Sequence, residues 1–421
     1  MYKQKITSML VLIIAGEAIF LLPFILMRVF KPIIREVFLI SDAQIGEAQA
    51  LYGITGIISY FIGGFIADKW EARKLLSFSL LFTALGGLLL VSIPDIFTLK
   101  ILYAFWGIST ILLFWAPLIK ATRQWGHRNN QGLSFGLLDG GRGLFAALIS
   151  LFGATILTSF FPTKNSNISL HHKIYTLQYI IGAITLIVFS IAFLTWKKLP
   201  KNTNIDTKSK EFQFNFSKAF SLIKKPEVIY HSLIILCAYC SYKLTGVYGT
   251  YAKDVWNFSL QKATYFAVFI QFIRPLAAIS IGWLADKLIP SILIIPCFFS
   301  IMLSALLLSS NISNNNIYLA FLSFVVMALG TYSLRGLYFA IIEETKTPIQ
   351  MTGTLVGIIS VIGFAPDIFM SLFIGYLLGE NPTILEYQKL FSYFSLLPFL
   401  GLVATLLFRK EINNETKSLN Y

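Results

Sequence analysis

Eight ionisable side chains lie inside long apolar stretches of this chain: Glu17, Arg28, Asp139, Arg142, Lys243, Arg274, Arg335 and Asp367. A charge at the centre of a bilayer costs about 2.5–3.5 kcal/mol on insertion scales, so such residues persist where they face a partner or a water-filled cavity. Lys243, Arg274 and Arg335 offer fixed positive charge to an acidic group on a small molecule. A guanidinium takes a carboxylate or phosphate through two parallel hydrogen bonds. Glu17 and Asp367 are candidate proton carriers, since an intramembrane carboxyl can load and release a proton as its access to water alternates. Each role has a plain structural counterpart. Lys243 is equally placed to pair with Glu17 or Asp367, and Arg274 to hold Asp367; Arg335 stands the same way. Asp139 and Arg142, three apart on one helix face, read as a structural ion pair. Arg28, near a span end, reads as a side chain reaching back to the interface.

Other chemistry has little to stand on. Cys237 and Cys240 imitate a redox C-x-x-C, but with Cys297 they lie in apolar runs, where thiols are packing residues. His171 and His172 have no acidic neighbour that would make a metal site. No nucleophile–base constellation and no large soluble domain suggests an enzyme, and no cofactor is expected.

The elements that position these charges are helices in lipid. The 421 residues are 56% apolar and 13% charged, about half the charged share of a soluble chain, with mean hydropathy +0.72. The apolar runs are continuous and roughly 20 residues long, the length of a spanning helix; a spanning sheet reads as alternating ten-residue segments. They predict spans at about 6–30, 44–67, 75–95, 99–120, 132–160, 174–196, 227–252, 263–285, 290–309, 316–342, 352–379 and 388–408. The first run is too long for a signal peptide and contains Glu17. The only long polar stretch, 197–226, divides residues 1–196 from 227–410 and reads as a cytoplasmic linker, with 411–421 as a cytoplasmic tail.

Orientation follows from Lys and Arg. The termini and the loops on their side carry 21, the opposite loops 8, and the spans five. Both termini are therefore expected in the cytoplasm. The net charge of +14 is scattered over short loops, so it signals topology and contact with anionic lipid; no nucleic-acid partner is implied.

The halves repeat. Gly64-Phe65-Ile66-Ala67-Asp68-Lys69 after span two has Gly282-Trp283-Leu284-Ala285-Asp286-Lys287 after span eight, 218 residues on. Gly132-xxx-Gly136 opens span five and Gly353-xxx-Gly357 opens span eleven, 221 residues on; Trp106-Gly107 has Leu329-Gly330 after 223. Such repeats imply two similar six-helix bundles with a site between them near the midplane.

Gly64, Asp68, Lys69, Arg73 and Lys74 resemble the signature loop of the major facilitator superfamily, and the second copy at Gly282, Asp286 and Lys287 repeats it. Trp70-Glu71-Ala72 replaces the usual loop glycine. That variant, with Trp125, Gln131-Gly132 and Phe135-Gly136, resembles the organophosphate:phosphate antiporter branch and related bacterial inner-membrane members. The branch's substrate arginines in spans one and seven have only Arg28 and Lys243 here. Drug exporters carry an Arg in span four and a Gly-Pro in span five; this chain has neither.

The resemblance implies an all-α membrane fold of twelve helices in two pseudo-symmetric bundles, self-sufficient as a monomer. Helices 1, 4, 7 and 10 would line a cavity, and 3, 6, 9 and 12 would face lipid; by sequence these last hold no intramembrane charge. The signature residues Gly64, Asp68, Lys69, Arg73, Lys74, Gly282, Asp286 and Lys287 would latch the cytoplasmic gate. The expected function is alternating-access transport of a small hydrophilic, anionic organic solute, by proton symport or exchange against another anion. The alternative is uptake of a zwitterionic or neutral nutrient, an amino acid or nucleoside.

Overall fold

The computed structural model describes residues 2–127, 130–160, 169–201, 222–314, 316–379 and 382–418. Twelve helical spans are long and apolar enough to cross a membrane. In chain order they are α1 (Lys5–Val29), α2 (Gln44–Lys69), α3 (Ala72–Val91), α4 (Ile96–Gly126), α5 (Gln131–Gly153) and α6 (Leu170–Lys198), then α7 (Pro226–Asp254), α8 (Tyr265–Ala285), α9 (Pro290–Ser309), α10 (Ile317–Leu337), α11 (Ile349–Leu378) and α12 (Ile384–Asn414). The expected spans recur within a few residues, except that α4 runs to Gly126 and α12 continues helically to Ser418, into the expected tail. Most of the expected linker, including Lys208, Lys210 and Lys218, lies outside the described residues.

Local chemistry sets the helix starts. Ser41 and Gln44 form a capping box before α2, Thr383 and Glu386 another at α12, and Asp95 and Asn316 cap α4 and α10. Side chains thus satisfy amides that lack a partner at a helix start.

The chain forms two compact units. One comprises Met1–Ala121, Phe145–Asn215 and Gln350–Gly357; the other Thr122–Leu144, Phe216–Ile349 and Ile358–Tyr421. They follow the expected halves, with two exceptions. The opening of α5 belongs to the second unit and the opening of α11 to the first. Inside the first unit α2 packs on α4, α3 on α6 and on α4, and α1 on α6. Inside the second, α8 packs on α10, α9 on α12 and on α10, and α7 on α12. Every pairing recurs six helices later, as the sequence repeat implies.

Glycines explain the two exchanged segments. A Cβ on Gly64 would stand 2.5 Å from the Gly353 carbonyl oxygen and 2.9 Å from Gly357 Cα; one on Gly282 would stand 2.5 Å from the Gly132 oxygen and 2.9 Å from Gly136 Cα. Backbones meet there because nothing intervenes. The third repeat behaves differently. Gly107 of α4 faces α2 at Gly56, but Gly330 of α10 faces Cys297 and Ile301 of α9. Its offset of 223 against 218 is a little over one helical turn, enough to aim it at another neighbour.

Candidate functional site

Several spans are interrupted. α1 passes through a π-turn at Leu21–Ile25, just after Glu17; α4 breaks at residues 112–114; α7 through a 3-10 turn at Thr245–Val247; and α11 at residues 364–365. In hydrocarbon, backbone breaks survive only where protein or an aqueous cavity receives the freed groups. In the second unit the breaks position charges. Lys243 falls in the last turn of the helix Pro226–Leu244, and Asp367 in the first turn of Pro366–Leu378. Each charge therefore matches the dipole of its half-helix. The two side chains pair directly, and Tyr239 donates its hydroxyl to Asp367 Oδ1 at 2.9 Å. About a quarter of each ion-pair member is exposed: 28% of the Lys243 side chain and 27% of Asp367.

Deeper in the same unit lies a second constellation. Asp139 of α5, Arg274 of α8 and Arg335 of α10 are 5%, 6% and 6% exposed. Arg274 grips Asp139 with a fork, Nε to Oδ2 at 3.0 Å and one Nη to Oδ1 at 2.7 Å. Arg335 adds Nε at 3.2 Å and one Nη at 3.0 Å, both to Oδ1. Its other Nη is buried and meets no hydrogen-bond acceptor among the described residues. The Arg335 guanidinium also lies 4.0 Å from the Tyr242 ring centroid, within cation–π range. Two buried cations on one buried anion leave a surplus of one positive charge.

The hydrogen bonds to Asp139 therefore come from two other helices. This corrects the expectation that Asp139 and Arg142 satisfy each other along α5; none of the described hydrogen bonds joins them. The i,i+3 spacing permits such a pair, but bidentate Arg geometry is stronger. Likewise Arg274 holds Asp139 and not Asp367, and Lys243 takes Asp367. Glu17 is buried in the first unit, and Arg28 is exposed at the end of α1.

Three partners had no sequence signal of their own. Gly143 gives Arg274 its space, Tyr239 orients Asp367, and Lys120 joins Asp68. The glycine run Gly140-Gly141-Arg142-Gly143 was visible, but its neighbour was not.

The repeated loops share one geometry. Asp68 accepts the backbone N–H groups of Gly353 and Thr354 at 2.8 and 2.7 Å, the Thr354 hydroxyl at 2.7 Å and Lys120 at 3.1 Å. Asp286 accepts the N–H groups of Gly132 and Leu133 at 2.8 and 3.1 Å. Each carboxylate caps the N-terminus of a helix whose opening packs by glycine contacts. Burial pushes the Asp286 carboxyl above its ordinary range, and the bonds from Leu133 and Gly132 oppose that. The neighbouring basic residues diverge. Arg73 donates to the Trp196 carbonyl at 3.3 Å, at the end of α6, and Arg73 and Lys74 flank Glu71 at 3.8 and 3.6 Å. Lys69 closes the last turn of α2, and Lys287 sits 3.5 Å over the Trp283 ring. Among the described residues no cluster of His, Cys, Asp and Glu is arranged to hold a metal, and the three cysteines are free and buried.

The model of the Major Facilitator Superfamily matches residues 12–370. The chain belongs to that superfamily. Its twelve spans are those of the superfamily's all-α fold, and the protein is an integral membrane transporter. Among superfamily proteins, it is 27% identical to the inner membrane protein YqcE of Escherichia coli (strain K12), over 83% of this chain and 82% of that one. It is 23% identical to the inner membrane protein YihN of the same organism, over 99% and 98%. The solved fold of the E. coli fucose:proton symporter FucP matches with a TM-score of 0.67 at 16% identity, covering 95% of this chain and 98% of that one. A structure of FucP in the outward conformation matches with the same TM-score at 15% identity.

Proposed function

We propose that this superfamily transporter carries a small hydrophilic organic anion across the inner membrane together with a proton, by alternating access. The observation that carries the reading is the buried Asp139–Arg274–Arg335 cluster with its surplus positive charge and its open guanidinium edge. A buried uncompensated charge is costly, and a substrate acidic group removes that cost on binding. Lys243, a third cation on a broken helix, extends the site.

Asp367 and Lys243 suggest how a proton is coupled. Protonating Asp367 releases Lys243 from its ion pair, so the anion is held best when the proton is aboard. Anion and proton then travel as a neutral load. Glu17, buried one turn before the π-turn of α1, is the second carboxyl assigned to coupling. FucP is itself a proton symporter by its description, which favours symport over exchange. The capped helix starts at Asp68 and Asp286 act as gate latches, with Gly64, Lys69, Arg73, Lys74, Gly282 and Lys287 shaping their loops. The basic side of the chain, including both termini, faces the cytoplasm; two inner-membrane relatives fit that assignment.

Uptake of labelled organic acids into proteoliposomes tests the reading. Saturable uptake driven by an inward proton gradient, abolished by Arg274→Ala and uncoupled from the gradient by Asp367→Asn, is expected. Saturable amino-acid or nucleoside uptake that survives both changes overturns it.

A further inference from the structure

Asp139 is saturated unevenly. Its Oδ1 receives three N–H groups, from one Nη of Arg274 and from Nε and one Nη of Arg335, whereas Oδ2 receives only Arg274 Nε. Arg274 makes the better fork, with one nitrogen on each oxygen. Arg335 doubles up on a single oxygen, has its face against Tyr242 and keeps one buried Nη unpartnered. The cluster is short of one acceptor group, and Arg335 is where it is short.

On the reading that this cluster is the substrate site, we propose that Asp139 is a resident stand-in for the substrate's acidic group, and that it sets the substrate class as a monocarboxylate. An arriving carboxylate engages the open Nη of Arg335 and takes this guanidinium over from Asp139, which keeps its fork with Arg274. Two carboxylates then face two guanidiniums, each in bidentate geometry, and the buried surplus of one positive charge falls to zero. A phosphate ester, carrying close to two negative charges at neutral pH, leaves the same pocket negative. Asp139 is thus a specificity-determining residue that excludes dianions by repulsion.

The test measures binding of gluconate, lactate, inorganic phosphate and glycerol 3-phosphate to the purified full-length protein in detergent, by thermal shift and equilibrium binding. The wild type is expected to bind a monocarboxylate at least tenfold tighter than either phosphate. Asp139→Asn raises the surplus to two, so phosphate affinity should rise tenfold or more and the preference should vanish or reverse. A preference unchanged within threefold in Asp139→Asn overturns the proposal. A wild type that prefers phosphates overturns it while leaving the anion-transport reading intact, and a wild type that binds none of the four anions removes that reading itself. Arg335→Gln covers the case in which Asp139→Asn fails to fold. It leaves one Asp on one Arg, so monocarboxylate affinity should fall tenfold while the melting temperature of the ligand-free protein holds or rises. A fall of several degrees instead marks Arg335 as a structural partner and overturns the proposal.

Discussion

A Cβ placed on Gly143 would stand 2.6 Å from Arg274 Cδ and 2.7 Å from its Cγ. The arginine stem runs through the space where α5 has no side chain, and this lets its head reach Asp139 one turn back on the same helix. Gly143→Ala is expected to push the stem aside, break the fork and weaken anion binding at least tenfold, equivalent to about 1.4 kcal/mol. Titration of the variant with the wild-type ligand checks this. Unchanged affinity would mean that the fork tolerates a displaced stem.

Lys243 and Asp367 are coupled through a pair that is mostly out of water. Removing one partner leaves a charge with poor solvation, so Lys243→Ala and Asp367→Ala should each lower the melting temperature by several degrees. The double variant should recover most of that loss, because it removes both charges. The double-mutant cycle is read from melting curves and from the pH dependence of uptake. Additive losses would dissolve the pair as an energetic unit.

Gly64 and Gly282 stand where backbones touch. Alanine at either site has no flexible neighbour to displace, only backbone, so overpacking should cost about 1–3 kcal/mol. Gly182 of α6 has nothing within 4 Å of its virtual Cβ and is the control. Expression level and melting temperature should fall for Gly64→Ala and Gly282→Ala and hold for Gly182→Ala.

Glu344 accepts the Ser291 N–H at 2.8 Å and the Ser291 hydroxyl at 2.6 Å, at the start of α9, and Arg409 donates to the same hydroxyl at 3.1 Å. Burial nevertheless raises its carboxyl above the ordinary 4.5, outweighing the pull of Ser291 and Arg409. The folded protein therefore holds this proton more tightly than the unfolded chain. Its contribution to stability is complete below pH 4.5 and is lost as pH rises through the folded-state value. Glu344→Gln should remove that slope from a melting-temperature profile between pH 4 and 7. An identical slope in the variant would assign it to another group.

Much of the fold was legible because hydropathy is a local property. Twenty apolar residues in a row need no tertiary information to be recognised as a span, and the repeat of Gly64 to Lys69 at Gly282 to Lys287 carries the twofold organisation in the chain itself. The packing at Gly353-xxx-Gly357 was also visible as a motif, though not its partner. The Asp139–Arg142 expectation failed for a definable reason. An i,i+3 pair is the only partner that a single helix can show, and the arginines that engage Asp139 lie 135 and 196 residues away.

By itself the sequence determined the lipid environment, the number of spans and the residues that bring charge into the membrane, since composition and run length decide these. Tertiary structure alone decided who meets whom. Rotation of a helix by one residue swings its side chain by about 100°, so the partners of Asp139, Lys243 and Asp286 depend on how neighbouring helices are turned and at what depth they break. That is why two buried arginines share Asp139 and why one of them keeps an open edge.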